Sequence, residues 1–411
     1  MKTKLNKLEK AWIAYDIGNS AFILMVSTLI PVYFNYLSEN NGIDSVTYLS
    51  LWGYSASICT VIVAVLGPVF GTIADNKNYK KPLFLAALLV GVIGCMTLGI
   101  YTSWVVFLAV YILTKAGYSM SIIFYDSMLG DITTEKRMDD ISAQGYGWGY
   151  IGSCIPFAAC LILVLFYERI GIAYQTAMFL SFLIVAIWWF LVTLPLLKNY
   201  KQLHYVEQQK GAVKESFVRL GNTLKSIRKD KKVFLFLIAY FFYIDGVYTI
   251  IEMATAYGQA LGLDTTGLLL ALLVTQLVAF PCSIFWGKLA KRVRSEYLIM
   301  ICIAAYTCIA IYALFMNTQI QFWILAICVG MFQGGVQALS RSHFARIIPA
   351  EKSGEYYGIM DICGKGASFL GTMLVGITAQ LTGSANKGIA VLAVVFLTGL
   401  AAFYFSIARS S

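Results

Sequence analysis

Apolar and polar positions alternate along this chain on the scale of whole helices. Long apolar segments are separated by short polar turns, and each is long enough for a helix to cross about 30 Å of hydrocarbon, which takes ~20 residues. The segments lie at residues 12–36, 47–74, 82–102, 104–129, 141–167, 173–197, 233–261, 266–290, 297–316, 319–347, 356–381 and 388–408. The pattern predicts an all-α integral membrane protein with twelve transmembrane helices.

The most polar stretch of the chain, residues 198–232, lies between the sixth and seventh apolar segments. It carries ten Lys and Arg residues against three acids. We interpret it as a linker between one six-helix bundle at residues 1–197 and another at residues 233–411. For the linker itself, the composition favours a solvated charged loop with some amphipathic helix over a regulatory site.

The two predicted bundles share a weak internal repeat. Five positions in two separate loops of the first bundle correspond to positions 216 residues later, which indicates a duplicated unit. The corresponding pairs are Gly71 with Gly287, Asp75 with Lys291, Ile132 with Ile348, Glu135 with Glu351, and Lys136 with Lys352. The fold class that follows is a pair of pseudo-symmetric six-helix bundles with a substrate site near mid-membrane between them.

Composition agrees with a membrane protein and explains the net charge. The chain is 59% hydrophobic and only 13% charged, with a mean hydropathy of +0.74. Of its 31 Lys and Arg residues, all except Arg169, Lys387, Lys115 and Lys365 fall on one side of the predicted topology. The positive-inside rule accounts for the net charge of +10 without a nucleic-acid partner. We expect a bacterial cytoplasmic membrane, with both termini and the linker cytoplasmic.

Metal and cofactor sites are not expected. The nine cysteines lie inside apolar segments without a Cys-x-x-Cys pair, and only two histidines are present. These residues cannot supply a zinc or iron site at ligand spacing. No nucleophile and base pair or phosphate-binding loop is recognisable either, so an enzyme is not expected.

Charged residues inside the apolar segments are the candidate substrate site. Lys115 lies midway along the fourth segment, and Asp245 and Glu252 share one face of the seventh. Such charges are expensive in a bilayer, so they imply ion pairing, a wet cavity or protonated carboxyls. A zwitterion could use Lys115 for its carboxylate and the acids for its ammonium group. A purely structural ion pair between Lys115 and Asp245 is the alternative.

Polar residues elsewhere in the segments could complete this site. Asn19 shares a helix face with Asp16, because the two are three residues apart. The neutral side chains that could orient a solute are Asn19, Tyr118, Gln333 and Gln337.

A second set of residues is expected to gate the predicted cavity. Gly71 and Asp75 precede a basic turn that contains Lys80, and this turn resembles the Gly-x-x-x-Asp signature of the major facilitator superfamily. Asp126 and Arg341 lie near the same end of their helices and are expected to join the network. Asp361 and Lys365 have the i, i+4 spacing of an ion pair on one helix. The coupling and gating candidates are Asp16, Gly71, Asp75, Lys80, Asp126, Arg341, Asp361 and Lys365.

Several blocks resemble one branch of that superfamily. Residues 12–22 (WIAYDIGNSAF), 124–129 (FYDSML), 334–349 (GGVQALSRSHFARIIP), 355–358 (EYYG) and 364–366 (GKG) are similar to the motifs of the vacuole-effluxer-like family. The resemblance spans nearly the whole chain. It implies the major facilitator fold, and it implies amino-acid export because fungal relatives are described as vacuolar amino-acid exporters. The sequence departs from the pattern at Asp126, where the family usually has Asn, and at Lys291.

We therefore expect a secondary transporter that moves a small polar solute by alternating access. The substrate class that fits best is amino acids or a related zwitterion or organic anion, with efflux and proton coupling as open options. The expected partners are this small solute and the lipid bilayer, and a monomer is expected. The alternatives are a non-transporting membrane receptor or regulator with the same fold, a membrane enzyme, and a gated channel.

Overall fold

A computed structural model describes residues 4–43, 45–207 and 212–408, without side-chain detail at positions 45–46, 49–50, 212–217, 255–256, 259–260, 265–266, 269 and 365–369. Helices make up nearly all of the described chain. They are α1 Lys7–Val26, α2 Leu29–Asn40, α3 Ser45–Ala74, α4 Lys80–Thr97, α5 Trp104–Ser127, α6 Leu129–Ile132, α7 Met138–Leu165, α8 Tyr167–Ile170, α9 Tyr174–Asn199, α10 Ala212–Lys229, α11 Lys231–Ala260, α12 Thr265–Leu289, α13 Ser295–Ala313, α14 Gln319–Ile347, α15 Ser353–Thr382, α16 Ala385–Ala390 and α17 Leu392–Ala408.

The described residues include eleven helical stretches long and apolar enough to cross a membrane. The helix α15 is a further one by length, with 30 residues, of which Leu370–Thr382 is apolar. Together they account for the twelve predicted crossings. The first crossing is made jointly by α1 and α2.

The break between α1 and α2 was not predicted from the apolar pattern. Thr28 leaves the helical conformation, with φ −131° and ψ −80°. The hydroxyl groups of Ser27 and Thr28 donate to the carbonyls of the preceding turn, at Ile23 and Leu24. Pro31 follows, and its ring clashes with a helical carbonyl four residues earlier, which disfavours a continuous helix at this point.

The helices form two bundles, here called the N half (α1 to α9) and the C half (α11 to α17). Within the N half, α1 packs on α7 and α9, and α4 packs on α5. Within the C half, α12 packs on α14, and α11 packs on α17 and α15. The internal repeat is also visible in the loops, because one-turn 3₁₀ helices at Glu135–Arg137 and Ala350–Lys352 occupy the matched positions.

The two halves meet closely where α3 crosses α15 and where α7 crosses α12 and α14. We call the end of the molecule that carries the α3–α4 turn, the α14–α15 turn and the linker the linker end. Glycines permit the crossing of α3 and α15 there. A Cβ on Gly71 would lie 2.2 Å from the carbonyl oxygen of Gly354, and one on Gly358 would lie 2.8 Å from that of Gly67.

The linker contains a helix, α10, as its composition predicted, and this helix is docked rather than free in solvent. Its helix α10 packs against α3 of the N half and α11 of the C half. Of the described side chains of α10, Thr223 and Ile227, one turn apart, are buried. The charged linker is therefore part of the contact surface at the linker end.

Candidate functional site: a gate at the linker end and a central charged pair

Asp75 joins the N half to the C half at the linker end. It follows directly after α3 and is fully buried. Its two carboxylate oxygens accept hydrogen bonds from the backbone N–H groups of Gly354 (2.8 Å) and Glu355 (2.9 Å). Such N–H groups have no partner within their own helix in the first turn of α15, where the helix dipole also favours a negative charge.

Lys80 supports the same contact from the first turn of α4. Its Nζ lies 3.5 Å from Asp75 Oδ1, and it donates to the hydroxyl of Ser353 (2.8 Å) and to the carbonyl of Ser127 (3.4 Å). Burial raises the pKa of Asp75, and the positive charge of Lys80 opposes that rise. The predicted grouping of Gly71, Asp75 and Lys80 is thus present as a geometry that joins the two halves.

Arg341 makes a second connection between the halves. It projects from α14 into the N half, where its guanidinium donates to Asp16 (3.2 Å) and Asp126 (3.0 Å). It also donates to the hydroxyl (2.8 Å) and the carbonyl (3.0 Å) of Ser142 on α7. The side chain is almost fully buried. One cation is therefore shared by two carboxylates in a low-dielectric site, where such charge-assisted hydrogen bonds are strong.

Aromatic rings complete the Arg341 site. The guanidinium carbon lies 4.6 Å from the ring centroid of Trp12 and 4.3 Å from that of Tyr146. Cation–π attraction operates at these distances. Trp12 in turn stacks on Tyr125 at 4.4 Å and donates to its carbonyl. Trp12 and Asp16, in the block at residues 12–22, therefore form part of the binding site for Arg341, in the block at residues 334–349.

The repeat-related contact in the C half uses the opposite charges. Gly287 on α12 faces the start of α7, where a Cβ on it would lie 2.5 Å from the Cβ of Ala143. Lys291 then pairs with Asp140 at 2.7 Å. Lys291 stands where the first half has Asp75, and its partner differs accordingly. Asp75 binds backbone N–H groups of α15, whereas Lys291 binds the carboxylate of Asp140 on α7.

Lys115 and Glu252 are two charged residues of the predicted central site, and they lie on different halves. Lys115 lies on α5 in the N half and Glu252 on α11 in the C half. The two charges attract each other electrostatically. Among the described residues no direct ion pair joins them, and both side chains keep solvent access.

The four neutral candidates lie on three helices, α1, α5 and α14. On α1, Asn19 is buried and donates to the carbonyl of Tyr15 (3.0 Å) and to Asp16 (3.3 Å), so it organises its own helix. Gln337 on α14 is buried and accepts a hydrogen bond from Tyr150 of α7 (2.8 Å), which crosses between the halves.

The other two neutral candidates have different surroundings. Gln333, one turn before Gln337, is also buried. Tyr118 is half-buried and packs against Phe22 and Trp189, with centroid separations of 5.2 and 5.8 Å.

Asp245 does not pair with Lys115, which corrects that alternative. It is fully buried between α11 and α15, and its Oδ1 accepts hydrogen bonds from the N–H of Gly371 (2.9 Å) and the hydroxyl of Thr249 (3.4 Å). Gly371 allows this approach, since a Cβ there would lie 2.5 Å from the carboxylate. These contacts hold Asp245 inside the C half, so it belongs to helix packing more than to the central pair.

The remaining two candidates lie on α15. Asp361 is half-buried. The side chain of Lys365 lies outside the described residues, so the ion pair between Asp361 and Lys365 stays a prediction.

Several residues at the linker end were not singled out from the sequence. Glu355 is fully buried beside Asp75, and Arg219 of α10 reaches it. Arg346 pairs with Asp139 of α7 at 2.8 Å. Glu355 and Arg346 both stand within the motif blocks, which was the available signal. Arg219 lies in a linker with many similar charges, so no sequence signal distinguished it.

Comparisons with known proteins identify the family of this chain. Residues 5–136 and 131–411 match the model of the family described as vacuole effluxer Atg22 like. The uncharacterized MFS-type transporter YxiO of Bacillus subtilis (strain 168) is 42% identical over 405 residues, which cover 97% of this chain and 95% of that protein. Autophagy-related protein 22-1 of Aspergillus niger is 24% identical over 289 residues, 64% of this chain and 46% of the fungal protein. The chain thus spans just under half the length of that fungal relative.

Solved structures show the fold. The major facilitator superfamily transporter FucP in the outward conformation has a TM-score of 0.74 at 13% identity, over 97% of each chain. The human organic anion transporter MFSD10 (TETRAN) has a TM-score of 0.68 at 12% identity, over 96% of this chain and 98% of that one. Family membership removes the enzyme alternative. The chain belongs to the vacuole effluxer Atg22-like family, a branch of the major facilitator superfamily of transporters.

Proposed function

We propose that this transporter carries amino acids, or closely related zwitterions, bound between Lys115 and Glu252. A zwitterion carries a carboxylate and an ammonium group, so it needs one cation and one anion in the site. Lys115 of the N half and Glu252 of the C half supply these charges. Gln333, Gln337 and Tyr118 are the neutral groups that orient the solute.

The observation that supports this proposal is that the two charges of the central pair are not joined by a direct ion pair among the described residues. Lys115 and Glu252 attract each other from opposite halves but do not form a direct ion pair in the described structure. Two membrane-embedded charges are tolerated when a wet cavity hydrates them and a ligand pairs them. A ligand that contacts both residues binds more tightly when the two halves are close together. Its binding is therefore coupled to the movement of the halves in alternating access.

The orientation and conformation follow from charge and contact. We infer that the linker end faces the cytoplasm, because the basic turns and the linker gather there, and that the structure is the outward-facing state. A cysteine at the exposed Asn40 should then react with a membrane-impermeant maleimide added outside intact cells. Reaction only after the membrane is permeabilised would reverse the assignment.

Proton coupling fits the Arg341 site. Opening the linker end withdraws Arg341 from Asp16 and Asp126 and leaves two neighbouring carboxylates without their cation. Protonating one of them is the least expensive way to neutralise this site. An imposed proton gradient should therefore change the rate of amino-acid transport in proteoliposomes, and an unchanged rate would remove this part of the proposal.

The binding site is tested with purified protein and the standard L-amino acids as ligands. A ligand that binds the folded state raises its melting temperature as its occupancy increases. We expect at least one amino acid to do so. Lys115→Gln and Glu252→Gln should each weaken that binding about tenfold or more, since each removes a hydrogen bond to a charged group, worth roughly 1.5–3 kcal/mol.

The matched control is Lys288→Gln, because Lys288 is an exposed lysine of α12 outside the central pair. It should bind like the wild type. Wild-type binding in both central variants, or no response of the folded wild-type protein to any amino acid, would refute the proposed substrate site.

A further inference from the structure

The first part of the linker is fixed to the N half beside the gate. Asp131 accepts hydrogen bonds from the hydroxyl of Tyr200 (2.6 Å) and the backbone N–H of His204 (3.0 Å). Val206 then donates its N–H to the carbonyl of Asp75 (2.8 Å). The linker is therefore attached directly to the residue that makes the gate contact.

The helix α10 contacts both halves, through α3 and α11. Its buried side chains, Thr223 and Ile227, lie on the face that packs on α3 and α11. Arg228, on the same helix, is exposed. One face of α10 is therefore committed to contacts that a freely solvated linker would not need.

Arg219 is the residue of α10 that reaches the gate. Its guanidinium donates to the carbonyl of Thr72 and to the side-chain oxygen of Asn76 (3.3 Å), both at the end of α3. Its Nε lies 3.8 Å from the carboxylate of Glu355, in the first turn of α15. The Arg219 side chain is 16% exposed and that of Glu355 is fully buried.

We propose that Arg219 is a gating residue, which holds the linker end closed by tying the end of α3 to the start of α15. The role of Arg219 in transport rests on the proposed alternating-access cycle. The residues that Arg219 contacts lie next to the contact between Asp75 and α15. Thr72 and Asn76 flank Asp75 in the sequence, and the backbone N–H of Glu355 donates a hydrogen bond to the Asp75 carboxylate. Arg219 and Asp75 are thus two connections across one interface.

Opening the linker end must break this arrangement. When α3 and α15 separate, Arg219 can follow only one of them. If it stays with α3, Glu355 loses its counter-ion, and if it follows Glu355, the Thr72 carbonyl and Asn76 lose their donor. The position of α10 is therefore coupled to the gate, and release of α10 accompanies each opening.

The test measures the gate directly, without a substrate. Spin labels replace Glu135 and Glu351, which are exposed, repeat-related positions on the two halves at the linker end. They are placed in a background without the nine native cysteines. Double electron–electron resonance then reports the distance between the halves, and a melting temperature confirms that each variant is folded.

We expect Arg219→Ala to raise the ratio of the long, open distance to the short, closed one about fivefold or more, as for the loss of the counter-ion of a buried carboxylate. Arg219→Lys, which keeps the charge but not the fork of donors, should have an intermediate effect. The control, Arg228→Ala on the exposed face of α10, should leave the distances unchanged.

A second variant separates gating from simple packing. Arg219→Ala should open the linker end less in a Glu355→Gln background than in the wild type, because a neutral side chain at position 355 needs no counter-ion. A folded Arg219→Ala protein with the distances of Arg228→Ala would overturn the proposal. Because no ligand is used, this result would leave the substrate proposal standing.

Discussion

Glu355 is a carboxylic acid held in the protein interior between Asp75 and Arg219. Burial raises the pKa of Glu355 to about 7, and the negative charge of Asp75 adds to the rise while Arg219 opposes it. Lys352, in the preceding turn, also opposes it. A carboxyl with this pKa changes its charge in the neutral range, where few side chains do.

The first prediction is that closure of the linker end depends on pH through Glu355. The closed state binds this proton more tightly than water-exposed Glu355 would, since the ordinary pKa is 4.5. Protonation therefore stabilises closure, an effect that is complete below the ordinary pKa and is lost as the pH rises through about 7. Raising the pH from about 6 to about 8 should increase the open-to-closed ratio about tenfold.

The distances between labels at Glu135 and Glu351 report this ratio at each pH. In Glu355→Gln the dependence over this range should largely disappear. A dependence that persists in full would assign the titration to a group other than Glu355.

At the residue scale, the sequence predicted types of residue better than partners. The predicted grouping of Asp75, Lys80 and Arg341 near one end of the molecule was recognisable because the motifs that contain them lie near helix ends. The pairing of Asp245 was not, since its partner is the backbone N–H of Gly371, and no charge pattern reveals a backbone donor. Arg219 was missed for a different reason, because neighbouring linker charges look alike until the helix is docked.

The crossing of α3 and α15 is the element-scale feature that closes the linker end. Gly71 and Gly354 lie so near that either Cβ would meet the other backbone, at 2.2 and 2.6 Å. Backbone atoms cannot move aside as a flexible side chain can. The close approach is what brings Asp75 within reach of the first turn of α15.

The second prediction concerns that crossing. Gly71→Ala should push α3 and α15 apart at the linker end and shift the Glu135–Glu351 label distances toward the open population. Gly53→Ala is the matched control, because Gly53 lies on the same helix with no atom within 4 Å of its would-be Cβ. It should leave the distances unchanged, and an equal response from the two variants would contradict the role assigned to the crossing.

Helix positions were largely predictable from the apolar pattern, and helix breaks were not. The apolar run at residues 12–36 gives no sign that it divides at Thr28, since hydropathy does not register the competing hydroxyl bonds of Ser27 and Thr28 or the clash at Pro31. The linker shows the same limit. Its composition predicted a solvated loop with some amphipathic helix, whereas the docking of that helix depends on the few buried side chains of α10.

At the scale of the whole molecule, two related bundles meet through unequal contacts. The N half uses Asp75 against backbone N–H groups, and the C half uses Lys291 against Asp140. The repeat predicted the symmetry, because helices and loops recur at one spacing. It could not predict the partner of a residue that differs between the two halves, such as Asp75 and Lys291, because that partner belongs to the helix packed against the residue.

The central pair is also a property of the whole molecule. Lys115 and Glu252 belong to different halves, so any solute that bridges them links the halves. This arrangement predicts that binding and the relative position of the halves change together. It also predicts that exchange of bound solute across the membrane needs no energy source beyond the solute gradient.

The most direct test of this account is counterflow in proteoliposomes. Vesicles are preloaded with a mixture of unlabelled standard L-amino acids, and the entry of trace radiolabelled amino acids is followed. The account predicts saturable, transient accumulation by the wild-type protein and Lys288→Gln, with a rate at least about tenfold lower in Lys115→Gln. If the folded wild-type protein in preloaded vesicles accumulates no more label than protein-free vesicles, or if Lys115→Gln matches the wild type, the central claim is contradicted.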